Sequence, residues 1–340
     1  MTSLHGSKTP DSDGGSPLLS PSSAHPVLDM GTQSFVDRQA ELNDTALHEL
    51  SPDIARAVFL KLQSGDRPEF AVSSEDLVLP VGPSGAVKVR IVRPASIVAL
   101  PIVMYFHGGG WVMGDCDTHD RVLRELAVRA NVAVVCVDYT RAPEARFPTQ
   151  NEEAYAAMMY VVNNASALVL DPQALALVGD CAGGNMVAAV AILARQRRGP
   201  DIALQVMFYP ILSAHSTGDS HVAPSGGSWM TQAAVATAIS AQFSAESQSD
   251  AIALPLRANW ASLEGLPSAL IITAENDVVR DDGEQYAKKL MQAGVDVTAV
   301  RYLGTIHDFV VLNDLMFTPS SRAAMSQACA LLRAELHGEL

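Results

Sequence analysis

Between residues 175 and 194 an apolar run, Leu175-Ala176-Leu177-Val178, passes through Gly179-Asp180-Cys181-Ala182-Gly183-Gly184-Asn185 into Met186-Val187-Ala188-Ala189-Val190-Ala191-Ile192-Leu193-Ala194. A strand that turns at once into a helix leaves one residue on a strained corner, its side chain lifted to the top of the sheet, with small neighbours on either side. Gly179 and Gly183 supply those neighbours and Cys181 occupies the corner. A helix N-terminus favours negative charge, so a thiol there is expected to ionise more readily than one buried elsewhere.

The rest of the chain agrees with such a turn. Extended runs at Leu77 to Val81, Val87 to Val92 and Ile102 to Phe106 are followed by a helical stretch, Asp120 to Ala130, and another run, Val132 to Val137. A helix near Glu152 to Asn163, strands at Ala174 to Val178 and Leu204 to Tyr209, and the helix from Gly184 to Arg195 continue the alternation. A strand at Ala269 to Thr273, a helix at Gly283 to Ala293, a strand at Val297 to Tyr302 and a terminal helix complete it. The pattern predicts a parallel sheet with crossover helices, an α/β fold. Residues 1–30, rich in Ser, Pro, Gly and Asp, are expected to be a disordered tail. Residues 31–70 are expected to form N-terminal helices, the second starting with Pro52 at its first position. Residues 71–340 then form the main domain, broken at about 213–259 by a Ser/Gly/His-rich loop and an Ala-rich helix that read as an inserted cap.

Hydrophobic residues make up 48% of the 340 and charged residues 18%, the balance of a packed globular chain. A net charge of −14 argues against nucleic acid or an anionic membrane surface as partner. No run of roughly 18 apolar residues suggests a membrane span, and the N-terminus lacks the features of a secretory signal. Cys116, Cys136, Cys181 and Cys329 show no metal-ligand spacing and no dense disulfide framework. A soluble, cytoplasmic protein with reduced thiols, no metal and no cofactor is the expectation.

A second chemical signal is His107-Gly108-Gly109-Gly110-Trp111, directly after the run Ile102 to Phe106. Glycines there let backbone N–H groups approach a substrate oxygen with no side chain in the way. Gly109 and Gly110, with Ala182 just after the corner residue, are the expected oxyanion donors, each worth roughly 3 kcal/mol to a tetrahedral intermediate. His107 is expected to shape its loop by hydrogen bonding, and Asp180 to be a structural partner beside it.

HGGGW, the stretch DYTRAPEARFP and GDCAGGN, taken together, resemble the hormone-sensitive-lipase-like esterases, which usually carry GDSAGGN at the corner. The resemblance covers most of residues 75–335. It implies an α/β-hydrolase fold with a mainly parallel, roughly eight-stranded sheet flanked by helices, a helical cap, and a cysteine in the place of the nucleophilic serine. It places Asp277, within Ala274-Glu275-Asn276-Asp277, as the acid, and His307, after the strand that follows, as the base. Cys181, His307 and Asp277 would then act as a triad on a small acyl ester or thioester. The resemblance also raises a homodimer as an expectation.

Other readings stay open at this point. Cys181 is a working nucleophile, a serine-to-cysteine replacement that traps a hydrolase, a relative that has drifted from hydrolysis, or a small packed residue. A thioester acyl-enzyme reacts more readily with amines and thiols, relative to water, than an oxygen ester does, which keeps acyltransferase or thioesterase work in view. A lyase-like or ligand-binding relative on the same scaffold is the alternative from a different class. Glu275, Asp281 and Asp282 lie close to Asp277, with solvated loop charges as an alternative reading of such a cluster, so the choice of Asp277 rests mainly on the family register. Trp111 and Trp229, with Phe243 and Met230, are candidates to line a substrate pocket, although isolated aromatics serve equally to pack.

Overall fold

A computed structural model describes residues 26–42, 45–65, 67–214 and 229–338, together with Thr2 and Ser220. In chain order the elements are α1 (Met30–Leu42), α2 (Pro52–Leu62), β1 (Val72–Leu79), β2 (Val87–Pro94), β3 (Leu100–Phe106), α3 (Asp120–Ala130), β4 (Ala133–Asp138), α4 (Thr149–Asn163), α5 (Ala165–Leu168), β5 (Leu170–Asp180), α6 (Ala182–Arg197) and β6 (Leu204–Phe208). They continue with α7 (Gln232–Gln242), α8 (Trp260–Leu263), β7 (Ser268–Asn276), α9 (Arg280–Gln292), β8 (Val297–Ile306) and α10 (Pro319–His337).

The strands form one eight-stranded sheet in the order β1-β2-β4-β3-β5-β6-β7-β8. β2 pairs antiparallel with both β1 and β4, and every other pair is parallel. Sequence explains the placement. Every residue of β3, Leu-Pro-Ile-Val-Met-Tyr-Phe, is buried, as a central parallel strand covered on both faces must be. β1, Val-Ser-Ser-Glu-Asp-Leu-Val-Leu, is largely exposed and takes an edge; β8 takes the other.

α3 packs on α10, whereas α4 packs on α6 and α8 bridges α6 and α9, so helices cover both faces of the sheet. α6 is buried from Ala182 to Ala194, and its composition of small and aliphatic residues on all sides fits that position. α10 begins where Thr318 accepts the Ser321 N–H, with Pro319 at the first turn, and ends at left-handed Gly338.

The expected tail falls mostly on residues outside the described ones. Its last residues are described: the Asp29 N–H donates to Gly304 O at 2.8 Å, and the Asp29 carboxylate caps α1 through the Gly31 and Thr32 N–H groups. Part of the expected 213–259 insertion also lies outside them, and its described part holds α7. No helix among the described residues is long and apolar enough to cross a membrane.

Candidate active site

The loops that follow β3, β5, β7 and β8 meet at the carboxyl end of the sheet, where open α/β sheets place their ligands. Cys181 joins β5 directly to α6 with φ 53° and ψ −116°, a backbone conformation that costs a non-glycine residue energy. Its N–H donates to Phe208 O at 2.9 Å, and its carbonyl accepts the Ile211 N–H at 3.2 Å. A Cβ on Gly183 would collide with the carbonyl of Phe106, and one on Gly179 would lie 2.5 Å from Gly183 O. Both glycines are therefore required for the corner to form against β3.

Under the loop after β3 lies a buried polar network. Asp180 accepts the Tyr105 hydroxyl at 2.7 Å and the Gly108 N–H at 3.1 Å, and its other oxygen faces His119 Nε2 at 3.4 Å. Burial pushes the Asp180 carboxyl up, but His119 and the hydrogen bonds outweigh it and hold it below the usual range. Burial likewise lowers His119, and Asp180 raises it beyond its ordinary value. His107 stacks on Tyr139 with ring centroids 4.2 Å apart, and its Nδ1 lies 2.9 Å from Gly108 O. Burial and the neighbouring His119 bring His107 down to about 3, so it is a neutral ring that shapes the loop. Asp180 is thus a support for the glycine loop, as expected. Gly109 and Gly110 have φ of 101° and 62°, which glycine alone adopts at little cost.

The loops after β7 and β8 bring Asp277 and His307 together: His307 Nδ1 lies 2.6 Å from Asp277 Oδ2, with both side chains buried. Asp277 Oδ1 accepts the Val279 N–H at 3.0 Å, which fixes the carboxylate. The other ring nitrogen, Nε2, makes no hydrogen bond among the described residues and faces Asp308 Oδ1 at 3.4 Å. Cys181 Sγ, a ring nitrogen of His307 and a carboxylate oxygen of Asp308 all lie within 4.8 Å of one another. Burial lowers His307, but Asp277, Asp308 and Cys181 raise it well above its ordinary value. Burial pushes the Cys181 thiol up and His307 pulls it part of the way back. The net upward shift differs from the easier ionisation expected at a helix N-terminus: Cys181 is only 1% exposed, and desolvation of the thiolate wins.

Cys181 and Asp308 open onto a cavity of about 990 Å³. Gly109 and Gly110 line it as well, and Ala182 opens α6, where the first N–H groups have no partner within the helix. Most of the remaining wall comes from α2 and the segment before it, including Leu47, Val58 and Phe59, and from α7, including Val235 and Ala238. Of the two tryptophans singled out in the sequence, Trp229 lines the cavity and donates from Nε1 to Asp308 Oδ2 at 3.0 Å. Trp111 is fully buried with its ring edge-on to Phe243, 5.0 Å between centroids, and is not among the cavity-lining residues.

The acidic neighbours of Asp277 are held by hydrogen bonds and ion pairs, with Asp282 buried and Glu275 and Asp281 half-buried. Asp282 is buried and accepts the Leu212 and Ser213 N–H groups, Glu275 accepts the Gly304 N–H, and Asp281 pairs with Arg280. Asp308 itself escaped the sequence reading. It follows His307 directly in the sequence, but its positive φ of 63° and the approach of its carboxylate to within 3.4 Å of His307 Nε2 are visible only in the fold.

A family model described as the alpha/beta hydrolase fold matches residues 103–311, which span β3 to the loop after β8. The chain belongs to the α/β-hydrolase family. Among relatives of this α/β-hydrolase, the carboxylesterase NlhH of Mycobacterium tuberculosis is 35% identical over 292 residues, 84% of this chain and 90% of its own. A protein of Acanthamoeba polyphaga mimivirus, named as an alpha/beta hydrolase, is 36% identical over 301 residues, covering 88% of this chain and 85% of its own. Among solved structures, a thermostable esterase from Pseudomonas putida superposes with a TM-score of 0.89 at 37% identity, covering 93% of this chain and 99% of that one. These likenesses support the hormone-sensitive-lipase-like branch implied by the HGGGW and GDCAGGN motifs.

Proposed function

We propose that this α/β-hydrolase is a carboxylesterase that cleaves small and medium acyl esters, with thioesters as related substrates, through Cys181, His307 and Asp277. The observation that carries the reading is the 2.6 Å contact between His307 and Asp277, with Cys181 Sγ within 4.8 Å of the same ring at the edge of a largely apolar cavity. Asp277 holds the proton on Nδ1, which leaves the Nε2 lone pair free to take the thiol proton. Sγ attacks the acyl carbon, the carbonyl π electrons move to oxygen, and the N–H groups of Gly109, Gly110 and Ala182 receive the oxyanion. The tetrahedral intermediate collapses, the C–O bond to the alcohol breaks, and His307 returns its proton to the leaving oxygen. Water, deprotonated by His307, then attacks the thioester; its C–S bond breaks and the thiol is restored.

Residues 31–70 and the part of the chain around α7 serve as the cap in this reading, because both contribute walls to the cavity. Trp229 contacts bound substrate, and Trp111, buried against Phe243, anchors the end of the glycine loop. A second outcome for the same acyl-enzyme is transfer to a thiol or amine acceptor, with which a thioester reacts more readily, relative to water, than an oxygen ester does.

The test is release of p-nitrophenol from a p-nitrophenyl ester series from acetate to octanoate, with and without added thiol or amine. Turnover that disappears in His307→Ala supports the proposal. Absence of turnover across the series under both conditions refutes it.

A further inference from the structure

We propose that Cys181, His307 and Asp308 form a divalent-cation site that takes Zn²⁺, occupying the nucleophile and the free ring nitrogen together. Thiolate, imidazole and carboxylate are a zinc donor set, bound at about 2.3, 2.0 and 2.1 Å. Tetrahedral geometry at those lengths separates nitrogen from oxygen by about 3.4 Å, sulfur from nitrogen by about 3.5 Å and sulfur from oxygen by about 3.6 Å. His307 Nε2 and Asp308 Oδ1 are 3.4 Å apart, and the three donor atoms lie within 4.8 Å of one another, so small side-chain shifts close the set.

The outer contacts are those of a built site. His307 is buried, and its Nε2 makes no hydrogen bond among the described residues and is directed at the other two donors. Its Nδ1 is held by Asp277 at 2.6 Å, the carboxylate–histidine arrangement that fixes a ligating tautomer. Asp308 uses Oδ2 to accept from Trp229 Nε1 at 3.0 Å, which leaves Oδ1 for the cation. Both Cys181 and Asp308 face the cavity of about 990 Å³, which supplies an entry path and room for a water as fourth ligand. Thiolate and carboxylate bring two negative charges beside a neutral ring, and a divalent cation cancels them in a poorly solvated place.

Spacing along the chain does not reveal this set, because one donor follows β5 and two follow β8. A serine at position 181 would offer a far weaker ligand, so the site is a consequence of the cysteine. Binding releases the thiol proton and, from the protonated ring that Asp277, Asp308 and Cys181 favour, the Nε2 proton of His307 to solvent, and breaks no other bond. It blocks both roles that the proposed ester cleavage needs, and the inference stands on the cluster whether or not that cleavage occurs.

The experiment titrates the chelator-treated full chain with Zn²⁺ by calorimetry and with Co²⁺ by absorbance, without any ester present. One equivalent is expected, with a near-ultraviolet cobalt–thiolate charge-transfer band that EDTA abolishes. Cys181→Ser should remove the band and lower affinity by about tenfold or more, and Asp308→Asn should lower affinity about tenfold or more while keeping the band. Thermal melts of the metal-free variants, matching the parent chain, show that the fold is retained. Failure to bind, binding without a thiolate band, or affinity unchanged in both variants would overturn the proposal.

Discussion

Replacing Asp277 by asparagine tests the proposed base through a single atom. The Asp277 Oδ1 already accepts the Val279 N–H at 3.0 Å, so the amide oxygen of asparagine keeps that bond and the amide nitrogen takes the place of Oδ2, 2.6 Å from His307 Nδ1. A nitrogen there donates to Nδ1 instead of accepting from it. The ring proton is thereby driven to Nε2, which faces Cys181 as a donor and can no longer remove the thiol proton. The volume and the backbone contacts hardly change, so the loss falls on the chemistry. For a base held in the wrong tautomer the expected fall in kcat is about 10³–10⁴-fold, or roughly 4–5.5 kcal/mol of barrier. Steady-state hydrolysis of p-nitrophenyl butyrate, with thermal melting as the control for folding, reads the effect. A kcat within about threefold of the parent at an unchanged Tm would refute the reasoning, because the tautomer would then not matter.

Three further outcomes follow from the same geometry. Gly183→Ala places a Cβ against the Phe106 carbonyl, where backbone meets backbone and nothing flexible can yield, so a stability loss of about 1–3 kcal/mol or more is expected in the urea midpoint; a change within about 0.5 kcal/mol would contradict it. His307 and Cys181 are both shifted upward, so the pair is fully protonated at low pH and gains reactivity only as a proton leaves; kcat/KM should rise with pH along a limb above His307's ordinary 6.5, and a flat profile between pH 6 and 9 would count against the pair. Arg56 ties α2 to the glycine-loop side through Val112 O at 2.8 Å, Ala142 O at 2.9 Å and Glu144 at 2.7 Å, so Arg56→Met should raise KM for octanoate esters more than for acetate; equal KM changes across the series would show that α2 does not shape the acyl site.

The central part of the fold is legible in the sequence because its signals are local and strong. β3 and β4 are continuous, fully or almost fully buried apolar runs, and the Gly179–Asn185 corner is marked by its glycines between an apolar strand and an apolar helix. The edges read less well. β1 starts at Val72, five residues before the apolar run suggests, because Ser73, Ser74 and Glu75 are exposed and carry no alternation. β5 starts at Leu170 rather than Ala174 because Asp171, Pro172 and Gln173 look like loop residues. Within the candidate site the glycine loop and Cys181 announce themselves by composition, whereas Asp277 and His307 needed a family register. The contacts of Asp308 with Cys181 and Trp229, and the packing of Gln39, Leu42 and residues 45–62 along the cavity, depend on long-range contacts that no local pattern encodes. Trp111 and Trp229 could not be told apart in sequence, since burial against Phe243 and a hydrogen bond to Asp308 both arise from chain segments far away.

The most direct test of the account is intact-mass analysis of the parent chain, Cys181→Ala and Cys181→Ser after brief exposure to p-nitrophenyl butyrate, with turnover measured on the same samples. The account predicts a single butyryl adduct on the parent, mapped to Cys181, that decays at the rate of turnover and is missing from Cys181→Ala. No adduct on a parent chain that nonetheless turns over, or turnover by Cys181→Ser alone, would contradict the claim that the thiol at the β5–α6 corner is the working nucleophile.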